Sequence, residues 1–209
     1  MMRLRELQSI IKIVQQAREV IAMNHSVYKI GITTLLSLFV MSAYAADVNS
    51  GKSKSAVCLG CHGSEGVSNS PMWPNLAGQS RTYIEIQLKK FKSGQRSNSS
   101  MNAIAKDLSD ADIQNLAAYF ASLPSKSAGG DASLVASGKE KAAMCMGCHG
   151  KDFKGNGQFP KLAGQHPNYL SKQLHDFKSG DRKGGPMNGI VQSLSDDDIK
   201  AIAEYLGSL

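Results

Sequence analysis

Every cysteine in the chain falls inside one of two copies of a single pentapeptide, Cys58-Leu59-Gly60-Cys61-His62 and Cys145-Met146-Gly147-Cys148-His149. No other feature restricts the fold so strongly. Cys-x-x-Cys-His is the attachment string of a c-type haem: each thiol closes a thioether to one vinyl group, and the adjacent histidine reaches the iron. Paired Cys-x-x-Cys strings also hold zinc, but the histidine beside both copies and the signs of export described below weigh against that. A thioredoxin-like redox motif needs a βαβ setting, and no alternating strand pattern is present.

The two strings sit in a duplicated sequence. Ser50-Gly51-Lys52 faces Ser137-Gly138-Lys139 at an offset of 87. After a one-residue gap the offset is 86: Pro74-Asn75-Leu76-Ala77-Gly78-Gln79 faces Pro160-Lys161-Leu162-Ala163-Gly164-Gln165. Phe91-Lys92-Ser93-Gly94, Met101-Asn102, Leu108-Ser109-Asp110 and Tyr119 have copies at Phe177, Met187, Leu194 and Tyr205. The seam, Pro124 to Asp131, has the Pro/Ser/Gly composition of a linker. The expected organisation is residues 1–45 as N-terminal extension and signal peptide, 46–124 as one module and 125–209 as the other.

Each module reads as helical. One helix leads into the Cys-x-x-Cys-His string. A second spans about Arg81 to Ser93, where Tyr83, Ile84, Gln87, Leu88 and Phe91 form a stripe of helical period. Gly94 and Gly180 stand where a helix end favours left-handed backbone. The last helix opens on Ser109-x-x-Asp112 and Ser195-x-x-Asp198, capping patterns with aspartate in place of glutamate, and Ile113, Leu116, Ala117 and Phe120 form its buried face. A module of about 80 residues has little apolar surface of its own to bury. The haem supplies the missing core, so the chain without it is expected to fold poorly, as small metal domains do.

The N-terminus looks like a targeting segment. Ile30 to Val40 is a mostly apolar run after Lys29, and Ala43-Tyr44-Ala45 is a small-x-small cleavage pattern, so the mature chain is expected to begin at Ala46. The uncharged stretch through Ala46 is 17 residues, short of the roughly 20 a membrane span needs. Counted from Met1 the signal is too long, and counted from Met23 it has ordinary length, so Met23 is the expected translation start. Export fits thioether attachment, which belongs to an oxidising compartment, and a prokaryotic periplasm is the natural one. Residues 1–45 carry five of the 24 basic and two of the 17 acidic side chains. The net charge of +7 therefore overstates the mature protein, and nothing suggests the concentrated basic face of a nucleic-acid binder.

His62 and His149 are placed at the iron by the adjacent covalent attachment. Five methionines follow Ala46: Met72, Met101, Met144, Met146 and Met187. Met144 and Met146 flank Cys145 and cannot easily reach the far face of the ring, and Met72 has no copy. Met101 and Met187 match, 39 and 38 residues after their histidines, in Gly/Ser/Asn-rich stretches read as loops. They are the expected sixth ligands, with a gap-filling core role as the alternative. His166 and His175 face Ser80 and Lys89 in the other copy and are set aside as ordinary surface or helix residues. The carbonyls of Pro74 and Pro160 are candidates to accept the imidazole N–H, and Leu76 and Leu162 to pack on the ring. Thioether sulfur favours ferrous iron and raises the potential. With both axial positions filled, the iron carries electrons rather than performing catalysis.

Together the paired Cys-x-x-Cys-His modules, each with Pro-x-Leu-Ala-Gly-Gln, Phe-Lys-Ser-Gly-x-Arg, a Met-Asn ligand segment and a closing Leu-Ser-Asp helix, resemble the cytochrome c4 family over Ala46 to Leu209. The resemblance implies an all-α fold of two tandem class I cytochrome c domains related by a pseudo-twofold. It implies two covalently attached haem c groups, held by Cys58, Cys61, Cys145 and Cys148, with His62, Met101, His149 and Met187 as axial ligands. It further implies a periplasmic electron carrier, associated at times with the membrane surface, that passes single electrons from a reductase such as a cytochrome bc-type complex toward a terminal oxidase. A cytochrome subunit of a larger oxidoreductase is the alternative. A dihaem peroxidase fits less well, since it needs an open iron. Lys89, Lys90 and Lys92, with Lys172, Lys178, Arg182 and Lys183 in the second copy, are candidates for steering partners.

Overall fold

The first helix of each half crosses the last helix of the same half at a glycine. In the first half α1 (Val48–Lys54) meets α5 (Asp110–Ser122), and a Cβ added to Gly51 would stand 2.1 Å from the Asn115 carbonyl oxygen. In the second, α6 (Ala132–Ala142) meets α10 (Asp196–Ser208), and a Cβ on Gly138 would stand 2.0 Å from the Ala201 oxygen and 2.7 Å from Tyr205 Cβ. Only glycine allows backbones so near. The duplicated Ser-Gly-Lys and the paired Tyr119 and Tyr205 are the two sides of this crossing.

This computed structural model describes residues 12, 14–19 and 46–209, and residues 46–209 form one compact unit. Residues 14–19 are helical. The apolar run Ile30–Val40, the Ala43-Tyr44-Ala45 cleavage pattern and the proposed start at Met23 lie outside the described residues. Among the described residues the fold is helical and without strands, with one isolated bridge between Asn156 and Phe159.

Between the crossing helices the halves run in parallel order. The first has α2 (Ala56–His62), α3 (Arg81–Lys92) and α4 (Ser99–Lys106). The second has α7 (Met146–His149), α8 (Pro167–Ser179) and α9 (Pro186–Ile190). Helix α3 begins where Ser80 accepts from the Tyr83 N–H at 3.3 Å. Helices α5 and α10 begin on complete capping boxes: Ser109 and Asp112 bond each other's backbone N–H, as do Ser195 and Asp198. Gly94 and Gly180 have φ of 74° and 86°, as expected from their places at helix ends.

The loop expectation for the two methionines is corrected. Met101 and Met187 lie on short helices, α4 and α9. Asn98 starts α4 by accepting from the Met101 N–H at 3.0 Å, and Pro186 supplies a helical φ at the start of α9. Composition concealed these starts because Asn98 at one and Gly185-Pro186 at the other are residues typical of loops.

Each half has its own core. Ile84, Phe91, Ala105, Leu108, Ile113, Leu116, Ala117, Tyr119 and Phe120 form the first, which includes the expected buried face of α5. Ala142, Phe153, Leu170, Ile202, Ala203 and Leu206 form the second. Partly buried residues pack on these cores from the side of the cysteines: Cys58, Leu76 and Met101 on the first, Cys145 and Leu162 on the second.

Candidate haem sites

The Pro-x-Leu-Ala-Gly-Gln segment is folded beneath each histidine. Leu76 and Ala77 both donate to the Gly66 carbonyl, at 2.8 and 3.0 Å, and Leu162 and Ala163 both donate to that of Phe153, at 2.9 and 3.2 Å. Gly78 and Gly164 then turn with φ of 67° and 75° and donate to Phe120 and Leu206 on the last helices. A side chain is strained in that conformation. The segment is thus pinned at one end to the short turn that follows the Cys-x-x-Cys-His helix and at the other to the last helix.

This pinning aims the proline carbonyls. His62 Nδ1 lies 2.9 Å from the Pro74 oxygen and His149 Nδ1 lies 3.0 Å from the Pro160 oxygen. A carbonyl can only accept, so Nδ1 carries the proton and Nε2 offers its lone pair. Both histidines are buried, at 6% exposure each. Burial pushes their pKa values down, with the carbonyl bond opposing, so each ring is neutral at neutral pH, as a metal ligand must be. Burial also pushes the Cys58 and Cys145 thiols up, and Cys61 and Cys148 beside them add to this.

All eight residues singled out from the sequence line one continuous cavity of about 1220 Å³: Cys58, Cys61, His62, Met101, Cys145, Cys148, His149 and Met187. That exceeds the roughly 300–1,000 Å³ of a single small-molecule site. Leu76 and Leu162 line it as well. None of the four cysteines is paired in a disulfide, as thioether attachment to a haem requires. Met72 and Met144 reach only the rim and are 58% and 60% exposed.

Two guanidiniums complete the cavity wall at the seam between the halves. Arg96 bonds Gln87 (2.9 Å) in its own half and Tyr169 (3.1 Å) and Gln173 (2.7 Å) in the other. Arg182 bonds Tyr83 (2.8 Å) and Gln87 (3.2 Å) across the seam and Gln173 in its own half. Each lies over a phenylalanine ring, Phe91 at 4.6 Å and Phe177 at 4.5 Å. Burial pushes the Tyr83 phenol up, but the two arginines outweigh it and hold the group below its ordinary value. Neither guanidinium forms an ion pair among the described residues. Partly buried charges seek counter-charges, and a group that bears carboxylates, as haem does, suits this wall. The apolar lining, the paired cysteines and the aimed imidazoles fit the same group.

Several roles were not read from the sequence. Gln79 and Gln165 bind across the seam, and each amide oxygen also accepts from the next backbone N–H of its own half, Ser80 at 2.8 Å and His166 at 3.1 Å. His166, expected to be an ordinary surface or helix residue, instead reaches the Ser68 carbonyl of the first half at 3.1 Å. His175 is ordinary helix chemistry, bonded to the Ser171 carbonyl. The basic cluster divides: Lys92 and Lys178 turn back to the carbonyls of Leu108 and Leu194, Lys172 pairs with Asp176, and Arg182 is held in the seam. Lys89 and Lys183 remain exposed and Lys90 half-exposed.

Two helical halves, each with a Cys-x-x-Cys-His turn whose histidine is aimed from behind by a proline carbonyl, define a tandem c-type cytochrome. Family models agree: "Cytochrome c" matches residues 135–209, and "Cytochrome C oxidase, cbb3-type, subunit III" matches residues 49–120. Cytochrome c4 of Pseudomonas aeruginosa is 37% identical over 195 residues, covering 86% of this chain and 97% of the relative. The solved structure of reduced recombinant cytochrome c4 from Pseudomonas stutzeri superposes with a TM-score of 0.75 at 37% identity, over 79% of this chain and 100% of that one. A "thiosulfate dehydrogenase electron acceptor" of Stutzerimonas stutzeri is 33% identical over 202 residues, 86% of this chain and 93% of the relative. The chain belongs to the cytochrome c4 family. It is a dihaem electron carrier that binds haem c covalently, it works with redox partner proteins, and it is not an enzyme.

Proposed function

We propose that this chain carries single electrons in the periplasm, from a reductase such as a cytochrome bc-type complex toward a terminal oxidase, with peripheral rather than spanning contact with the membrane. Among the described residues no helix is long and apolar enough to cross a bilayer. In this reading Cys58, Cys61, Cys145 and Cys148 hold the haems. His62 and Met101 ligate the first iron, and His149 and Met187 the second. Residues 46–124 and 125–209 are the two carrier domains, preceded by an exported leader.

The observation that carries this reading is the convergence of all eight residues on one cavity, with both imidazoles already oriented by carbonyls 2.9 and 3.0 Å away. The haem supplies a one-electron couple at iron. The chain supplies the rest: the Pro74 and Pro160 carbonyls fix the tautomer and plane of each imidazole. The thioethers of Met101 and Met187 are soft ligands that favour the ferrous state. A pyridine haemochrome assay on the purified protein tests the count: two covalent haems per polypeptide are expected, and one or none overturns the proposal.

A second reading concerns the electron donor. The relative described as a thiosulfate dehydrogenase electron acceptor is similar over nearly its whole length, which supports a sulfur-oxidising enzyme as the reductant in place of a bc-type complex. Reduction of the purified protein by a thiosulfate dehydrogenase with thiosulfate, measured against reduction by a bc-type complex, separates the two.

A further inference from the structure

The peptide group between Pro74 and Asn75 is bonded at both ends, by different halves of the molecule. Its oxygen accepts from His62 Nδ1 at 2.9 Å, within the first half. Its N–H donates to Oε1 of Gln165, in the second half, at 2.8 Å. Gln165 Nε2 donates back to the Asn75 carbonyl at 2.9 Å, so the amide grips both sides of one residue. The second half repeats the arrangement with the roles exchanged. The Pro160 oxygen accepts from His149 Nδ1 at 3.0 Å, the Lys161 N–H donates to Oε1 of Gln79 at 2.7 Å, and Gln79 Nε2 donates to the Lys161 carbonyl at 2.8 Å. Gln79 and Gln165 are buried, at 8% and 7% exposure.

A peptide that donates its N–H to a good acceptor gathers negative charge on its own oxygen. Hydrogen bonds linked in this way strengthen one another by roughly 10–30% per bond. A stronger acceptor at Nδ1 makes the imidazole a more basic ligand, and a more basic ligand favours ferric over ferrous iron. The path from glutamine to imidazole is two hydrogen bonds and one peptide group, inside a site shielded from water.

We propose that Gln165 and Gln79 are positioning residues that act across the seam, each setting the ligand basicity of the histidine in the opposite half and thereby the potential of the opposite haem. The proposal rests on His62 and His149 being the iron ligands. Gln165 tunes the haem of the first half through Asn75 and Pro74. Gln79 tunes the haem of the second half through Lys161 and Pro160. A glutamine that only glued the halves together would not respect this crossed assignment.

The test uses holo-protein of the parent, Gln165→Leu, Gln79→Leu and Gln165→Glu. In the ferrous parent, the Nδ1–H resonances of the iron-bound imidazoles, assigned with ¹⁵N-labelled histidine, report the ligands directly. Resonances from residues other than His62 and His149 would defeat the ligand assignment, and the proposal with it. With those ligands in place, Gln165→Leu is expected to raise the potential of the His62 haem and move the His62 Nδ1–H resonance upfield. The His149 haem should stay at its parent value. Gln79→Leu should do the reverse. Gln165→Glu keeps an oxygen acceptor and should leave the His62 haem at or below its parent potential. Unmoved potentials with the correct ligands, or equal shifts of both haems in one variant, would overturn the crossed assignment while leaving the ligands intact.

Discussion

Lys178 turns its ammonium back onto its own half and donates to the Leu194 carbonyl oxygen at 2.5 Å. Lys92 makes the same return to Leu108. A basic stretch that reads in sequence as a docking patch therefore contains two lysines used to hold the turn before the last helix. Lys178→Met is expected to lower stability by about 1.5–3 kcal/mol, the usual net value of a hydrogen bond to a charged group, and to leave partner reaction unchanged. Lys89→Gln with Lys183→Gln should do the opposite: no change in melting temperature, but slower electron transfer at low ionic strength, with the difference from the parent vanishing as salt screens it. Stopped-flow rates over a salt series, alongside thermal melts, check both.

The helix crossings predict a severe effect from a single methyl group. Gly51→Ala and Gly138→Ala each place Cβ about 2 Å from a carbonyl oxygen of the opposing helix. The obstacle is backbone, so no side chain can swing away. Overpacking of a core typically destabilises by about 1–3 kcal/mol, and these variants should reach or exceed that upper value. Denaturant unfolding of the holo-protein measures it. A loss under about 0.5 kcal/mol would show that the crossing relaxes freely.

Met101→Ala and Met187→Ala test the sixth ligands one at a time. Each is expected to remove about half of the near-infrared charge-transfer intensity that marks sulfur bound to ferric haem iron, and to lower the potential of one haem only. The double variant should show none of that band. Full intensity in either single variant would return that methionine to a packing role.

Acid stability should depend on Asp198. Its carboxyl titrates at about 2 rather than its ordinary 3.8, held down first by the Lys141 ammonium and then by the Ser195 backbone N–H of the capping box. A carboxyl lowered in the folded state favours folding above the ordinary value and loses that contribution as pH falls through the folded one. Asp198→Asn should therefore be less stable than the parent at pH 5 to 7, and the two proteins should converge as pH falls toward 2. Chemical unfolding at several pH values reads the difference directly.

Local features were readable from the sequence, and features that join the halves were not. Ser109 with Asp112 and Ser195 with Asp198 announced two helix starts, because a capping box is complete within four residues. The stripe on α5 and the extent of α3 followed from periodicity for the same reason. The Pro74 and Pro160 carbonyls could be anticipated because a buried iron-bound imidazole needs an acceptor, and the repeated segment offered one. Gln79 and Gln165 were visible as repeated letters, but a repeat is silent on whether a side chain serves its own copy or the other. Here the partner lies 82 residues away in one case and 90 in the other. The helices carrying Met101 and Met187 were hidden for a different reason. Their caps, Asn98 and Gly185 before Pro186, are residues that a composition reading assigns to loops.

The arginine wall at the seam has a consequence for how such a molecule can be divided. Cut between its halves, either fragment would expose a tyrosine and a glutamine shaped for a guanidinium it no longer faces, and would carry an arginine stripped of its distant partners. The internal repeat supplies two similar units, and the seam makes each the other's missing surface. Transplanting one half into a foreign scaffold would require the Tyr–Gln–Arg face to be redesigned along with it.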